Sequence, residues 1–243
     1  MSDMTVAILA GGSGTRLAEE TSVRPKPLVP IGSQPILWHI MRTYAHYGFT
    51  DFVLAAGYLG EMVREFGNDV GRGGMREQDW SVRVVDTGPH TNTGGRILRL
   101  RDDVGAGTFL LTWGDGVSDV DILKLVNFHR AHGRLATLTA VHPPSRFGRL
   151  TLAADRVERF EEKPRLTDDW INGAFFVLEP RIFEFIDGDE TSWEHDSLPR
   201  LAEAGELMAF RHDSFWQCMD TVHDRDLLNE MWQSGRAPWR VWD

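Results

Sequence analysis

Two aspartates, three basic side chains and one glycine turn are the residues of this 243-residue chain whose types could do chemistry together. Asp115 stands between Gly114 and Gly116 after an apolar run, so its carboxylate can face a crevice with little backbone cover. Asp220, in Cys218-Met219-Asp220-Thr221, is a second carboxylate that only the fold can bring to the first. Two carboxylates plus phosphate oxygens and water are what Mg²⁺ prefers. Taken singly, Asp115 reads equally as a turn aspartate and Asp220 as the N-cap of the last helix. Leu9-Ala10-Gly11-Gly12-Ser13-Gly14-Thr15-Arg16 supplies a turn in which backbone N–H groups can converge on phosphate oxygens, with Arg16 adding a fork of donors. Lys26 is clamped in Arg24-Pro25-Lys26-Pro27, and Lys163 precedes Pro164 in Glu161-Glu162-Lys163-Pro164. A glycine loop, an arginine and a stiffly held lysine together make a triphosphate cradle. Two familiar phosphate motifs fail: Gly14 is followed by Thr15-Arg16 and not by Lys-Ser/Thr, and Gly12-x-Gly14-x-x-Leu17 lacks the last small residue of a dinucleotide fingerprint.

The elements that must position these residues follow from periodicity. Apolar runs at Thr5–Leu9, Asp51–Ala56, Val82–Val85, Thr108–Thr112 and Leu135–Val141 read as strands, the first four ending in Gly- or Asp-bearing turns. Helical spacing predicts helices over Pro35–His46, Glu61–Phe66, the stretch after Thr93-Gly94-Gly95-Arg96, and Asp121–His132, with Gly67 to Ser81 as a surface loop. Alternating strands and helices predict an α/β, doubly wound, mostly parallel sheet, whose ligand sits beyond the carboxyl ends of the strands. The pattern changes afterwards. Leu150–Ala153 and Val157–Glu161 read as a hairpin, Ile171–Leu178 as a strand, and Thr191-Ser192-Trp193-Glu194 as a capping box for a helix that Gly205 ends. Leu207–Arg211 and Phe215–Met219 read as short strands and Thr221–Ser234 as a last helix. The expected organisation is a single domain over 1–243, with a nucleotide-binding core at 1–142 and a smaller β-rich acceptor-binding lobe with the C-terminal helix at 143–243.

Composition narrows the partners. A net charge of −10 disfavours nucleic acid and anionic membranes, while a local basic pocket or a metal leaves an anionic small substrate open. One cysteine, Cys218, excludes an intramolecular disulfide and a zinc cluster, and reads as a small buried hydrophobe. Nine histidines show no ligand spacing. The start lacks a charged n-region with a long apolar run, and no stretch approaches a membrane span, so a cytoplasmic protein is expected. Nine tryptophans read as packing or interface residues, except Trp216, near Asp220, which could wall a sugar site. Thr93-Gly94-Gly95-Arg96, and Gly57 after the second strand, could approach the base or ribose. Arg96 reads either as a phosphate partner or as a cap of its own helix.

The run Gly12-Ser13-Gly14-Thr15-Arg16-Leu17 followed by Pro25-Lys26-Pro27 resembles the sugar nucleotidyltransferase family, whose core is Rossmann-like. Pro35-Ile36-Leu37-Trp38-His39, Thr93-Gly94-Gly95-Arg96, Gly114-Asp115-Gly116-Val117, Glu162-Lys163-Pro164 and Phe215-Trp216-Gln217 with Met219-Asp220-Thr221 extend the resemblance to the branch that uses CTP and glucose 1-phosphate. It implies transfer of a cytidylyl group to α-D-glucose 1-phosphate with Mg²⁺ on Asp115 and Asp220, giving CDP-glucose and pyrophosphate. It further implies catalytic roles for Arg16, Lys26 and Lys163, and nucleotide contacts from Leu9, Gly11, Gly12, Gly14, Thr15, Gly57, Gly94, Gly95, Arg96 and Gly114. The acceptor would meet Trp113, Glu162, Lys163, Asn172, Gly173 and Trp216, and the chain would be a homo-oligomer. Trp113, Ala174 and Cys218 depart from the pattern, where Tyr, Gly and Pro are expected. Another nucleotide, a cyclitol phosphate or phosphonate acceptor, and a silent nucleotide-binding subunit stay open at this point.

Overall fold

The computed structural model describes residues 4–12, 14, 17–72, 80–143, 147–162 and 169–242. Along the chain these form β1 Val6–Leu9, α1 Ala18–Thr21, β2 Pro30–Ile31, β3 Gln34–Pro35, α2 Ile36–His46, β4 Asp51–Ala56, α3 Gly60–Gly71 and β5 Ser81–Asp86. Then come α4 Thr93–Arg99, α5 Arg101–Val104, β6 Phe109–Trp113, β7 Gly116–Ser118, α6 Ile122–His132, β8 Ala136–Val141, β9 Arg149–Ala153 and β10 Arg156–Glu161. The last part holds β11 Ile171–Leu178, α7 Leu198–Glu203, β12 Leu207–His212, β13 Trp216–Cys218 and α8 Val222–Gln233.

One seven-stranded sheet runs in the order β12-β8-β11-β6-β1-β4-β5. Strand β1 pairs in parallel with both β4 and β6, and β4 with β5, so strand order reverses at the β1/β6 boundary. Strand β11 is the antiparallel member, lying between β6 and β8. Alternation along β1 drives the layering. Val6 and Ile8 join a core with α2, α3, α6 and α8 on one face, while Ala7 and Leu9 join a second core with α4, α5 and α7 on the other. Both faces are covered, as a parallel sheet requires.

Three expectations are corrected here. The helix expected at Glu61–Phe66 continues to Gly71, so the loop expected from Gly67 begins later. Phe66 and Val70 carry its apolar face one turn further, and Gly67 lets it press on β5: a Cβ there would lie 2.6 Å from Val84 Cγ2. The cap before α7 is Ser192, one residue on from Thr191. Its Oγ accepts from the His195 N–H at 3.1 Å, while Glu194 Oε2 accepts from Thr93 Oγ1 at 2.6 Å and from Ser192 Oγ at 3.3 Å. Trp193–Ser197 forms a π turn before α7 starts. The strand expected at Phe215–Met219 shortens to Trp216–Cys218, since only those residues face β7. The last helix is opened by Thr221 in a capping box with Asp224, which leaves Asp220 just outside it.

Candidate active site

The turn after β1 is shaped by its glycines. Gly14 has φ +60, and its carbonyl accepts from the Leu17 N–H at 2.9 Å and from Thr21 Oγ1 at 3.0 Å. An L side chain at that φ is disfavoured, and a Cβ there would also press on Lys26 Cβ at 3.1 Å. Across the switch point, β6 ends at Trp113, in register with Leu9 of β1. Gly114 follows because nothing larger fits: a Cβ would lie 2.8 Å from Pro27 Cγ and 3.0 Å from the Leu9 carbonyl. The backbone can therefore turn tightly and present Asp115.

Between these two strand ends lies a cavity of about 270 Å³, lined by Leu9, Gly11, Gly12, Gly14, Lys26, Pro27, Thr93, Arg96, Trp113, Gly114 and Asp115. Six of the expected nucleotide residues, with Lys26 and Asp115, thus share one chamber at the place an open α/β sheet provides. Thr15, Arg16 and Lys163 lie outside the described residues. Thr93, expected near the base or ribose, lines the chamber, and Pro27 lines it without having been expected to. The signal for Pro27 was position alone, beside the clamped lysine.

Lys26 is buried, and its Nζ donates to Asp115 Oδ2 at 2.8 Å and to Asp220 Oδ1 at 2.6 Å. Burial by itself would lower its pKa. Asp115 by charge and hydrogen bond, and then Asp220, outweigh this and hold the ammonium above the usual lysine value. The two aspartates, far apart in sequence, are brought together by the β13–β7 ladder, in which Cys218 pairs with Gly116, and by the Met219 N–H, which donates to the Asp115 carbonyl at 2.8 Å. Cys218 is held as a thiol, its pKa pushed up to about 12 by burial and by Asp220. Among the described residues no group of three or more His, Cys, Asp or Glu is arranged to hold a metal by itself. Two carboxylates are hard oxygen donors that suit Mg²⁺ when phosphate and water complete its shell. The donor set fits that ion and needs the substrate to finish it.

Several expected contacts have other work in the fold. Arg96 is buried, and its Nη1 donates to Thr87 Oγ1 at 2.7 Å and to the Gly88 carbonyl at 2.8 Å, so it braces the turns after β4 and β5. Burial, and then nearby Arg99, lower its pKa. Gly57 stands behind the cavity wall: its Cβ would fall 2.3 Å from Arg96 Nη1 and 2.8 Å from the Gly11 carbonyl. Gly94 and Gly95 let α4 meet the backbone of Thr191 and Asp189, at 2.7 Å and 2.5 Å from their would-be Cβ atoms. These three glycines act through packing and do not line the chamber.

Among the expected acceptor residues, Asn172, Gly173 and Trp216 lie together. Trp216 Nε1 donates to the Gly173 carbonyl at 2.8 Å, and Asn172 Oδ1 accepts from the Ala174 N–H at 2.8 Å. Gly173 packs against Val141 and the Thr139 carbonyl. Trp216 lines a neighbouring cavity with Asp119, His142, Pro143, Ser214, Phe215 and Pro238. Glu162 is exposed at the foot of the β9–β10 hairpin. Trp113 is the exception: it lines the first chamber and stacks on Phe176, 5.1 Å between centroids.

A doubly wound sheet with a glycine turn, a clamped lysine and paired carboxylates at its switch point defines an α/β enzyme that handles nucleoside phosphates. The chain belongs to the nucleotidyl transferase family, whose model matches residues 5–231. A glucose-1-phosphate cytidylyltransferase of Salmonella typhimurium is 46% identical, over 99% of this chain and 100% of that protein. A probable glucose-1-phosphate cytidylyltransferase of Bacillus subtilis is 40% identical, over 98% and 100%. The structure of HddC from Yersinia pseudotuberculosis complexed with GMP-PN superposes with TM-score 0.75 over 94% of this chain and 99% of that one, at 24% identity.

Proposed function

We propose that the chain joins CTP and α-D-glucose 1-phosphate to give CDP-glucose and pyrophosphate. The carrying observation is the chamber at the β1/β6 switch point, where Lys26 meets Asp115 and Asp220, in a chain 46% identical end to end to the Salmonella enzyme. The acceptor phosphate is already an anion, so in-line attack on the α-phosphorus needs no general base. The difficulty is to bring two polyanions together and stabilise the charge of the transition state. Lys26 would meet the α-phosphate, and Arg16 would hold the departing β- and γ-phosphates. Lys163 would orient the nucleophile, with Glu162 and Asn172 on sugar hydroxyls and Trp216 as a wall. A divalent metal is general to this family. Mg²⁺ on Asp115 and Asp220 would supply charge neutralisation to the phosphates.

With this reading go a nucleotide core at 1–142, an acceptor lobe at 143–243, a homo-oligomer and a cytoplasmic location. No helix among the described residues is long and apolar enough to cross a membrane. The test is pyrophosphate release from CTP, UTP, GTP, ATP and dTTP in turn, with glucose 1-phosphate and Mg²⁺. Turnover with CTP should exceed the others by about tenfold or more, the discrimination that about 1.4 kcal/mol in the transition state provides. A preference for another nucleotide, or no release with glucose 1-phosphate beside release with a different phosphate, overturns it.

A further inference from the structure

Lys26 occupies a place that a metal would need. Its ammonium is 2.8 Å from Asp115 Oδ2 and 2.6 Å from Asp220 Oδ1, so one cation already bridges the two carboxylates. The contact is built in. Pro25 and Pro27 fix the backbone on either side, Pro27 abuts Gly114, and the lysine stem lies against Gly14. Mg²⁺ or Mn²⁺ bound to those carboxylates would stand within a few ångströms of the ammonium, and like charges at that range in a partly buried site repel strongly. A phosphate group entering with the metal changes the balance, because it offers the ammonium a new anionic partner.

We propose that Lys26 is the resident counter-ion of the carboxylate pair, excluding free divalent metal until a nucleotide's phosphates draw the ammonium away. The metal then enters as a metal–nucleotide complex and not before. This rests on the reading of Asp115 and Asp220 as the metal site.

The test is Mn²⁺ binding without any nucleotide, read as loss of the free-ion electron paramagnetic resonance signal. Lys26→Met keeps the stem and removes the charge, and Lys26→Gln repeats the change with a polar end. Wild type should bind Mn²⁺ weakly, and both variants should bind it about tenfold or more tighter, a conservative reading of the charge removed. Adding Asp220→Asn to either variant should abolish the gain. Equal or weaker Mn²⁺ binding in both Lys26 variants overturns the counter-ion role. If binding tightens but ignores Asp220→Asn, the metal lies elsewhere, and the reading of the carboxylate pair fails instead. Circular dichroism of each variant confirms that the fold compared is the same.

Discussion

Gly57→Ala should destabilise the fold although residue 57 does not itself line the chamber. Its φ is not in the left-handed region, so the effect is one of space alone. A methyl there would lie 2.3 Å from Arg96 Nη1 and 2.8 Å from both the Gly11 and Gly88 carbonyls. Two of these three neighbours are backbone and cannot step aside cheaply, so the guanidinium must move. Nη1 then loses its bonds to Thr87 Oγ1 at 2.7 Å and to the Gly88 carbonyl at 2.8 Å. Hydrogen bonds to a charged group are worth about 1.5–3 kcal/mol each. The methyl returns up to about 1 kcal/mol by restricting the unfolded chain. The net loss is about 2–5 kcal/mol, the difference between those two estimates. Urea unfolding monitored by tryptophan fluorescence reads it directly. Gly12→Ala is the control, since a Cβ at Gly12 meets nothing within 4 Å, although Gly12 lines the chamber. That variant should keep its stability to within about 1 kcal/mol and show a raised nucleotide KM. A Gly57→Ala protein within about 1 kcal/mol of wild type would refute the account of Arg96 as a brace.

Asp115→Asn should nearly abolish turnover with the fold intact, because Lys26 keeps Asp220 as its anion; a kcat close to wild type refutes the metal assignment. Ala174 has φ +61, a conformation that strains an L residue by about 1–2 kcal/mol. Ala174→Gly should raise stability by up to about 1 kcal/mol after the added freedom of the unfolded chain, and a lowered urea midpoint would contradict the strain. His39 is buried among Trp38, Trp232, Trp239 and Trp242, and burial lowers its pKa to about 4 despite its bond to the Ile31 carbonyl. The folded pKa lies below the unfolded one, so its contribution is complete above about pH 6.5 and is lost as pH falls toward 4. The loss reaches about 3 kcal/mol, and His39→Gln should flatten the slope of stability over that interval; unchanged slopes in wild type and variant would contradict it.

The strand ends were legible because period and punctuation agreed there. Asp51–Ala56 carries an apolar run from Phe52 with Gly57 after it, Ile171–Leu178 one from Ala174 after Asn172-Gly173, and both strands have those bounds. Gly67 misled because glycine usually marks a loop, whereas here it is a gap into which Val84 fits. The site was legible as a set of residue types and not as an arrangement. Nothing in the sequence distinguishes Gly11, which lines the chamber, from Gly57, which makes room for Arg96 behind it. That difference depends on where β4 ends relative to β1, a register of Leu9 with Ala55 that no local pattern encodes. The bridge from Lys26 to both aspartates was hidden for the same reason, since each partner reaches it from a different part of the sheet.

The arrangement also locates the source of positive charge. The described part of the chamber holds one ammonium against two carboxylates, and its other cation, Arg96, is spent on neutral oxygens of the fold. The described groups therefore sum to no surplus of charge for a triphosphate. Two unit charges at 4 Å repel by about 4 kcal/mol at an effective dielectric near 20, so this balance decides whether nucleotide enters at all. On the proposed reading, Arg16, Lys163 and a divalent ion would supply the missing charge. Metal and nucleotide binding would then be coupled. The coupling is reciprocal, so a factor by which nucleotide tightens Mn²⁺ is the factor by which Mn²⁺ tightens nucleotide.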